Sequence, residues 1–310
     1  MFISEQWQDS IKKIGNLVIK MTEKVELFTQ DGLKLAGLLF KCVKPKAIIQ
    51  FNSATAVLKE FYISFAKALQ DDNFSVLIYE YRGIGESKPK AGLKNCEYQY
   101  TDWAKYDMAA ALDFCVARFP GIPLLWMGHS VGGQMIGLVP NLKNHVKAML
   151  TINTGSGFGG NMNFKNRMRN FYFFEIIRPI SLLLFGYGKL KKIGLMEDIP
   201  KNIYNDWRKW CSVPEYFFHP RFSKEIEGIA GFQNLEFPIE VYIATDDEIA
   251  TKSNVEDFWQ FIKSNHGINF NWLDPKDHGI PSIGHFDLFR KKNKEVLWPL
   301  VINKLNSLNA

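Results

Sequence analysis

The stretch WMGHSVGG, residues 126–133, decides how this sequence is read. Ser130 lies between Gly128 and Gly132 in a Gly-x-Ser-x-Gly arrangement. So short a pattern also arises by chance, and alone it fits both a nucleophile on a sharp turn and a plain glycine loop. Its flanks separate the two. PLLWMG (123–128) has the apolar character of a buried strand, and GQMIGLV (133–139) reads as the start of a helix. A serine on a tight strand-to-helix turn has its hydroxyl lifted clear of the sheet. Glycines two residues before and after it let strand and helix approach, and the helix start points amides at developing negative charge.

Outward from this turn, strand and helix signals alternate. EKVELFTQDGLKLAGLLF (23–40) is two β-rich runs around Asp31-Gly32, a pair that favours a hairpin turn. AIIQFN (47–52), SVLIYEY (75–81), VKAMLTIN (146–153), IEVYIAT (239–245) and NFNWLD (269–274) read as strands. KEFYISFAKALQ (59–70), YTDWAKYDMAAALDFCVARF (100–119), SNVEDFWQFIK (253–263) and EVLWPLVINKLNSL (295–308) read as helices. The alternation predicts an α/β protein, with a mostly parallel central sheet flanked by helices. Between residues 156 and 237 it lapses. NRMRNFYFFEIIRPISLLLF (166–185) and IYNDWRKWCSV (203–213) look helical and aromatics are dense, while a structureless loop of that length is foreign to a compact domain. We therefore expect a core built from 1–155 and 238–310, with 156–237 inserted as a helical cap.

Composition narrows the class. The 310 residues are 46% hydrophobic and 23% charged, with a formal net charge of +6, as in a globular chain with one sizeable core. No zinc finger, RNP motif or long basic tract is present, so no nucleic-acid partner is expected. Cys42, Cys96, Cys115 and Cys211 are scattered without a C-x-x-C pair, which suits reduced thiols in a cytoplasmic protein. MFISEQWQDSIKKIGNLVIK (1–20) lacks the pattern of a secretory signal. The most apolar stretch, PISLLLFGYGKLKKIGL (179–195), is interrupted by Pro179, glycines and lysines, so no transmembrane helix is expected.

A serine hydroxyl needs a base, and the base an orienting acid. On a strand–elbow–helix scaffold they follow in the order Ser, Asp or Glu, His. IATDDEIAT (243–251) places Asp246 and Asp247 just after a late strand. Asp247 is the expected acid because it leads into the next helix; Asp246 stays as the alternative. His266 precedes the last strand, and His278 lies in DHGI (277–280), which reads equally as a polar turn. His285, in the glycine-flanked loop IGHFDLF (283–289), is the expected base. His129 adjoins Ser130, and neighbours on a tight turn point apart, so it is not expected to serve. The amide of Val131 would supply one oxyanion donor, and SATAV (53–57) the second, from Thr55 or Ala54. EYRGIGES (80–87) lacks the endings of nucleotide-binding glycine loops; Arg82 is expected to be a structural cation tying loops beneath the site.

Taken together, EYRGIGES, GHSVGG, TDDEIAT and IGHF resemble, in order and placement, the bacterial serine hydrolases of the α/β-hydrolase fold near the serine aminopeptidase and monoglyceride-lipase-like group. Glu80 stands where that family's stretch usually has Asp, and FNSATAV (51–57) where many members carry His-Gly. The resemblance implies the α/β-hydrolase fold, a cap inserted in the region 156–237, and catalytic Ser130, Asp247 and His285. It does not name the substrate, since the fold hosts many chemistries.

The expected reaction is two-step acyl transfer from a small-molecule ester or amide, with no metal and no organic cofactor. Cap aromatics such as Phe173, Phe174, Trp207, Trp210, Tyr216 and Phe217 would favour a lipophilic acyl group where they line a pocket, though any single one more readily fills the cap's own core. Residues 165–192 carry seven basic residues and one acid, Glu175; a solvated basic face is expected there ahead of peripheral contact with an anionic membrane. Serine aminopeptidase-like or acyltransferase activity would use the same three residues. A non-catalytic binding protein on this fold would be expected to have lost one of them, and all three are present.

Overall fold

The structure is a computed structural model described over residues 21–142 and 144–310; the signal-sequence reading of residues 1–20 lies outside them. Strands β1 (Met21–Phe28) and β2 (Lys34–Lys41) form an antiparallel hairpin. At its turn Gly32 has φ +85°, and the Thr29 hydroxyl donates to Asp31 at 2.6 Å while accepting the Leu33 N–H at 2.9 Å. The remaining strands are β3 (Ala47–Asn52), β4 (Phe74–Tyr79), β5 (Leu124–His129), β6 (Val146–Ile152), β7 (Ile239–Ala244) and β8 (Ile268–Leu273). Together they form one sheet in the order β1-β2-β4-β3-β5-β6-β7-β8, and every pair from β4 onward is parallel.

β3, β4, β5 and β7 are buried along their whole length, which is why they read as continuous apolar runs. Successive side chains leave opposite faces of the sheet and feed two cores. Leu124 and Trp126 of β5 join one core; Leu125 and Met127 join the other. The second core is covered by helix Ile63–Asp71, through Phe65, Ala66 and Leu69, and by helix Trp298–Asn309, through Trp298, Val301 and Leu305. The first is covered by residues 103–118, with Trp103, Met108 and Leu112 inward, and by helix Lys252–Trp259. The sheet thus has helices on both faces, as the alternation predicts.

One element differs from its sequence reading. The helix after Ser130 is a single turn, Val131–Gln134, followed by a 3-10 turn, Ile136–Leu138. Gly132, Gly133 and Gly137 are poor helix formers, and Pro140 follows. A β-carbon on Gly137 would lie 2.4 Å from the Phe232 ring, so close packing has displaced helix propensity there. Residues 164–185, read as helical from 166, run as one helix through Phe164–Phe171, a wider turn at Tyr172–Ile177, and Arg178–Phe185. The Asn163 side chain caps its start by accepting the Asn166 N–H at 3.0 Å, and Gly186, at φ +79°, ends it. This helix and helix Lys201–Trp210 lie between β6 and β7, with Phe173 and Phe174 packed on Tyr204 and Trp207.

Candidate active site

The loops that leave the carboxyl ends of β3, β5, β7 and β8 converge, the usual place for a site on an open parallel sheet. Ser130 follows β5 directly and has φ +53° and ψ −115°, a conformation that costs a residue with a side chain about 1–3 kcal/mol. The neighbouring glycines permit it. A β-carbon on Gly128 would sit 2.6 Å from the Gly132 backbone, and one on Gly132 would sit 2.1 Å from the Asn52 carbonyl oxygen. The turn is pinned from both sides: the Ser130 N–H donates to Ile152 O at 3.0 Å, and the Thr154 hydroxyl donates to Ser130 O at 3.1 Å.

Ser130 and His285 line the same cavity, of about 860 Å³. Asp247 and His285 are paired, with His285 Nδ1 2.7 Å from Asp247 Oδ2, and both are buried. The other Asp247 oxygen accepts the N–H groups of Ile249 and Ala250 at 2.7 and 2.8 Å. Asp246, the alternative acid, faces elsewhere: its two oxygens accept the N–H groups of Ile283 and Gly284 at 3.0 and 2.9 Å. It holds the histidine loop by its backbone, while Asp247 meets the imidazole. Burial alone would depress His285, but the Asp247 carboxylate, by charge and hydrogen bond, and Glu248 hold it above its ordinary 6.5. His278 ends the turn Pro275–His278 and His266 lies ahead of β8; neither lines the cavity.

His129 has a different role. Its Nε2 is 2.8 Å from the carbonyl oxygen of His285, so Nε2 carries the proton and donates. Its Nδ1 then accepts from the Tyr62 hydroxyl at 2.8 Å, and the Tyr62 oxygen accepts the Ala54 N–H at 3.1 Å. Burial, with His285 close by, drives His129 well below 6.5, and burial raises Tyr62 far above 10, so both stay neutral. This chain of contacts joins the histidine loop, the serine turn and the loop after β3. It also occupies the amide of Ala54, leaving Thr55 as the candidate donor of that pair; the Thr55 hydroxyl pairs with Tyr100 at 2.5 Å. Val131 is fully buried behind Ser130. Because the following helix is one turn long, any oxyanion contact there is made by individual amides and not by a macrodipole.

Most of EYRGIGES faces inward, with Glu86 exposed. Arg82, 2% exposed, donates from Nε to Asp107 at 2.7 Å and forks onto the two oxygens of Asp31 at 2.8 and 3.0 Å. Glu80 accepts the Glu86 N–H at 2.7 Å and faces the buried ammonium of Lys59 at 3.1 Å. The Ser87 hydroxyl donates to Glu80 O and accepts the Ala36 N–H, both at 2.9 Å. Arg82 therefore ties the β1–β2 turn to residues 103–118, the structural part expected of it.

A family model described as serine aminopeptidase, S33, matches residues 43–172. That span holds the loop after β3, EYRGIGES and the serine turn. The fold is similar to solved esterases. A carboxyl esterase from Bacillus coagulans superposes with a TM-score of 0.61 at 10% identity, over 93% of this chain and 99% of that one. The esterase domain of a Rhodothermus marinus protein gives 0.56 at 18%, over 93% and 97%. A Pyrococcus furiosus esterase gives 0.57 at 14%, over 94% of each. The chain has the α/β-hydrolase fold. No curated protein matches it in sequence.

Of the aromatics that sequence reading offered to a pocket, the fold brings Phe173, Phe174 and Trp207 to the cavity wall, with Tyr172 at its rim. Trp210, Tyr216 and Phe217 instead fill the core beneath. Sequence reasoning missed Asn153 as well as Tyr62. The Asn153 amide donates to Gly284 O and His285 O at 2.9 and 3.1 Å and accepts the Ala244 N–H at 3.0 Å, fastening the β6, β7 and histidine loops together. Its position at the end of a strand was visible, but its partners lie too far along the chain for any local signal to reveal them.

Proposed function

We propose that the chain is a serine hydrolase of carboxylic esters working through an acyl-enzyme. The Asp247–His285 pair, opening on the same cavity as Ser130 on its strained turn, carries this reading. His285 Nδ1–H donates to Asp247, which leaves Nε2 as the free base. Nε2 takes the Ser130 proton as Oγ bonds to the ester carbonyl carbon, and the amides of Val131 and Thr55 receive the oxyanion. The proton then passes to the departing alkoxide as its C–O bond breaks. Water, activated by the same imidazole, adds to the acyl carbon and frees Ser130. Residues 156–237 act as the cap that roofs the cavity, and the apolar roof formed by Phe173, Phe174, Ile177 and Trp207 favours a lipophilic acyl chain.

A fluorophosphonate serine probe tests the nucleophile: labelling of wild type and not of Ser130→Ala is expected, and labelling of both would rule Ser130 out. A second reading, aminopeptidase-like activity, is favoured by the description of the matching family model. The wall holds three carboxylates, Glu60, Glu197 and Glu248; Glu60 is drawn to Lys59 at 3.1 Å and Glu197 to Lys88 and Lys191 at 2.7 and 2.8 Å, which leaves little to bind a free amine. A panel of acyl esters and aminoacyl amides, with and without an added alcohol acceptor, separates esterase, peptidase and acyltransferase. Faster turnover of esters, released as free acid, is expected.

Two further results bear on the acid and base. Asp247→Asn is expected to lower kcat about 10^4-fold, because the imidazole loses its orienting acceptor. Asp246→Asn keeps one carbonyl acceptor for the loop amides and is expected to cost about tenfold or less. The reverse order would transfer the role to Asp246. The base must be neutral, so kcat/KM falls as pH drops through the His285 pKa. Since that pKa is raised, the acidic limb is expected to have its midpoint above 6.5, and in Asp247→Asn the residual activity has its limb at lower pH. A wild-type limb below 6 would contradict the pairing.

A further inference from the structure

The helix over residues 164–185 has two apolar faces. On one, Phe174 is buried and Phe173 and Ile177 line the cavity. On the other, Phe164, Met168, Tyr172, Ile176, Ile180 and Leu184 recur every four residues, and Leu183 adjoins them. All seven are exposed, Phe164 by 80%, Leu183 by 86% and Leu184 by 65%. A surface helix normally turns its apolar stripe inward and leaves the other side polar. Here the outer stripe is as apolar as the inner one, and a contiguous patch of this kind marks an interaction surface. Ile193 and Leu195, about half exposed, extend it. Tyr172 and Leu195 also line the cavity, so the patch runs into the cavity mouth.

Charge identifies the partner. Lys165, Arg167, Arg169 and Lys192 are exposed around the stripe and make no ion pair among the described residues. Glu175, the one acid between residues 164 and 192, is held by Arg208 at 2.8 Å. A second copy docking here would bring these cations against each other; an anionic surface would neutralise them. No described helix is long and apolar enough to cross a membrane, whereas an amphipathic helix of about 33 Å can lie in the interface. The solvated basic face expected from sequence does not account for the apolar stripe between the cations.

We propose that this face docks on an anionic phospholipid bilayer and that the cavity takes a long-chain acyl ester directly from it. The substrate half rests on the hydrolase reading; the docking half does not. The test is flotation of the full chain, as wild type and as Ser130→Ala, with phosphatidylcholine vesicles and with vesicles containing about 30% phosphatidylglycerol. Both proteins are expected to float with the anionic vesicles, and about tenfold less with neutral ones or in high salt. The double variant Ile180→Glu/Leu183→Glu, at two solvent-facing positions, is expected to lose flotation about tenfold or more. It should keep wild-type turnover of a short water-soluble ester, which also shows that it is folded, and lose turnover of a long-chain ester embedded in the vesicles. Wild type that stays unbound with both vesicles, or a double variant that floats like wild type, overturns docking. So does a wild-type dimer that the double variant dissolves while neither protein binds vesicles. Flotation without turnover of any ester would uphold docking and remove the hydrolase reading.

Discussion

Ser130→Ala is expected to lower kcat/KM on an ester by roughly 10^4-fold or more while leaving the fold intact. On the proposed mechanism the hydroxyl is the attacking atom, and the residual rate comes only from binding and oxyanion contacts. Stability should hardly change, because alanine keeps the β-carbon and therefore the backbone strain at φ +53°. Ser130→Gly separates the two effects. It is equally inactive but relieves the strain, and is expected to raise the unfolding free energy by about 1 kcal/mol. Steady-state kinetics and urea denaturation read both. Retention of a tenth of wild-type activity in either variant would exclude Ser130 as the nucleophile.

The largest loss of stability is expected at Arg82, which never meets the cavity. Its guanidinium is buried between Asp31 and Asp107, and Asp107 is wholly buried. Arg82→Met leaves that carboxylate without its cation, a change that typically costs about 3–5 kcal/mol. The loss depends on pH. Burial pushes Asp107 up from its ordinary 3.8 to about 7 against the pull of Arg82; in Arg82→Met the pull of the guanidinium is gone and the backbone N–H of residue 82, 2.8 Å from Asp107, is what still opposes the push. An acid whose pKa is raised on folding binds its proton more tightly in the native state, so the variant loses stability as pH rises above about 4. Urea midpoints should therefore lie closer to wild type at pH 5 than at pH 8, and adding Asp107→Asn should recover part of the loss. A difference below about 1 kcal/mol at pH 8 would show that the pair contributes little.

The strands and their mostly parallel sheet are legible because each buried strand is a continuous apolar run separated from the next by a helix or turn signal. The elbow is legible because its steric demands fall on adjacent positions: Gly128 and Gly132 can be nothing larger beside the Asn52 carbonyl and the helix start. The choice between Asp246 and Asp247 is not written locally. Both follow the same strand, and what distinguishes them is that one reaches loop amides and the other an imidazole nearly forty positions later. The oxyanion loop is ambiguous for the same reason, since the Ala54 amide is claimed by Tyr62. In the helical insertion, aromatic density announces burial but not which rings fill the core and which face the cavity, because two apolar faces on one helix blur its periodicity.

The run of contacts from Ala54 through Tyr62 and His129 to the carbonyl of His285 has a consequence for substrate range. Three segments far apart in the chain are bolted together by neutral, buried groups that no ordinary change of pH will loosen. On the proposed mechanism the reaction centre accordingly keeps one shape, and accommodation of differently shaped acyl chains would fall to the walls above it. Changes of preference among relatives of this chain are then to be sought in residues 156–237, while the strand ends beneath tolerate almost none.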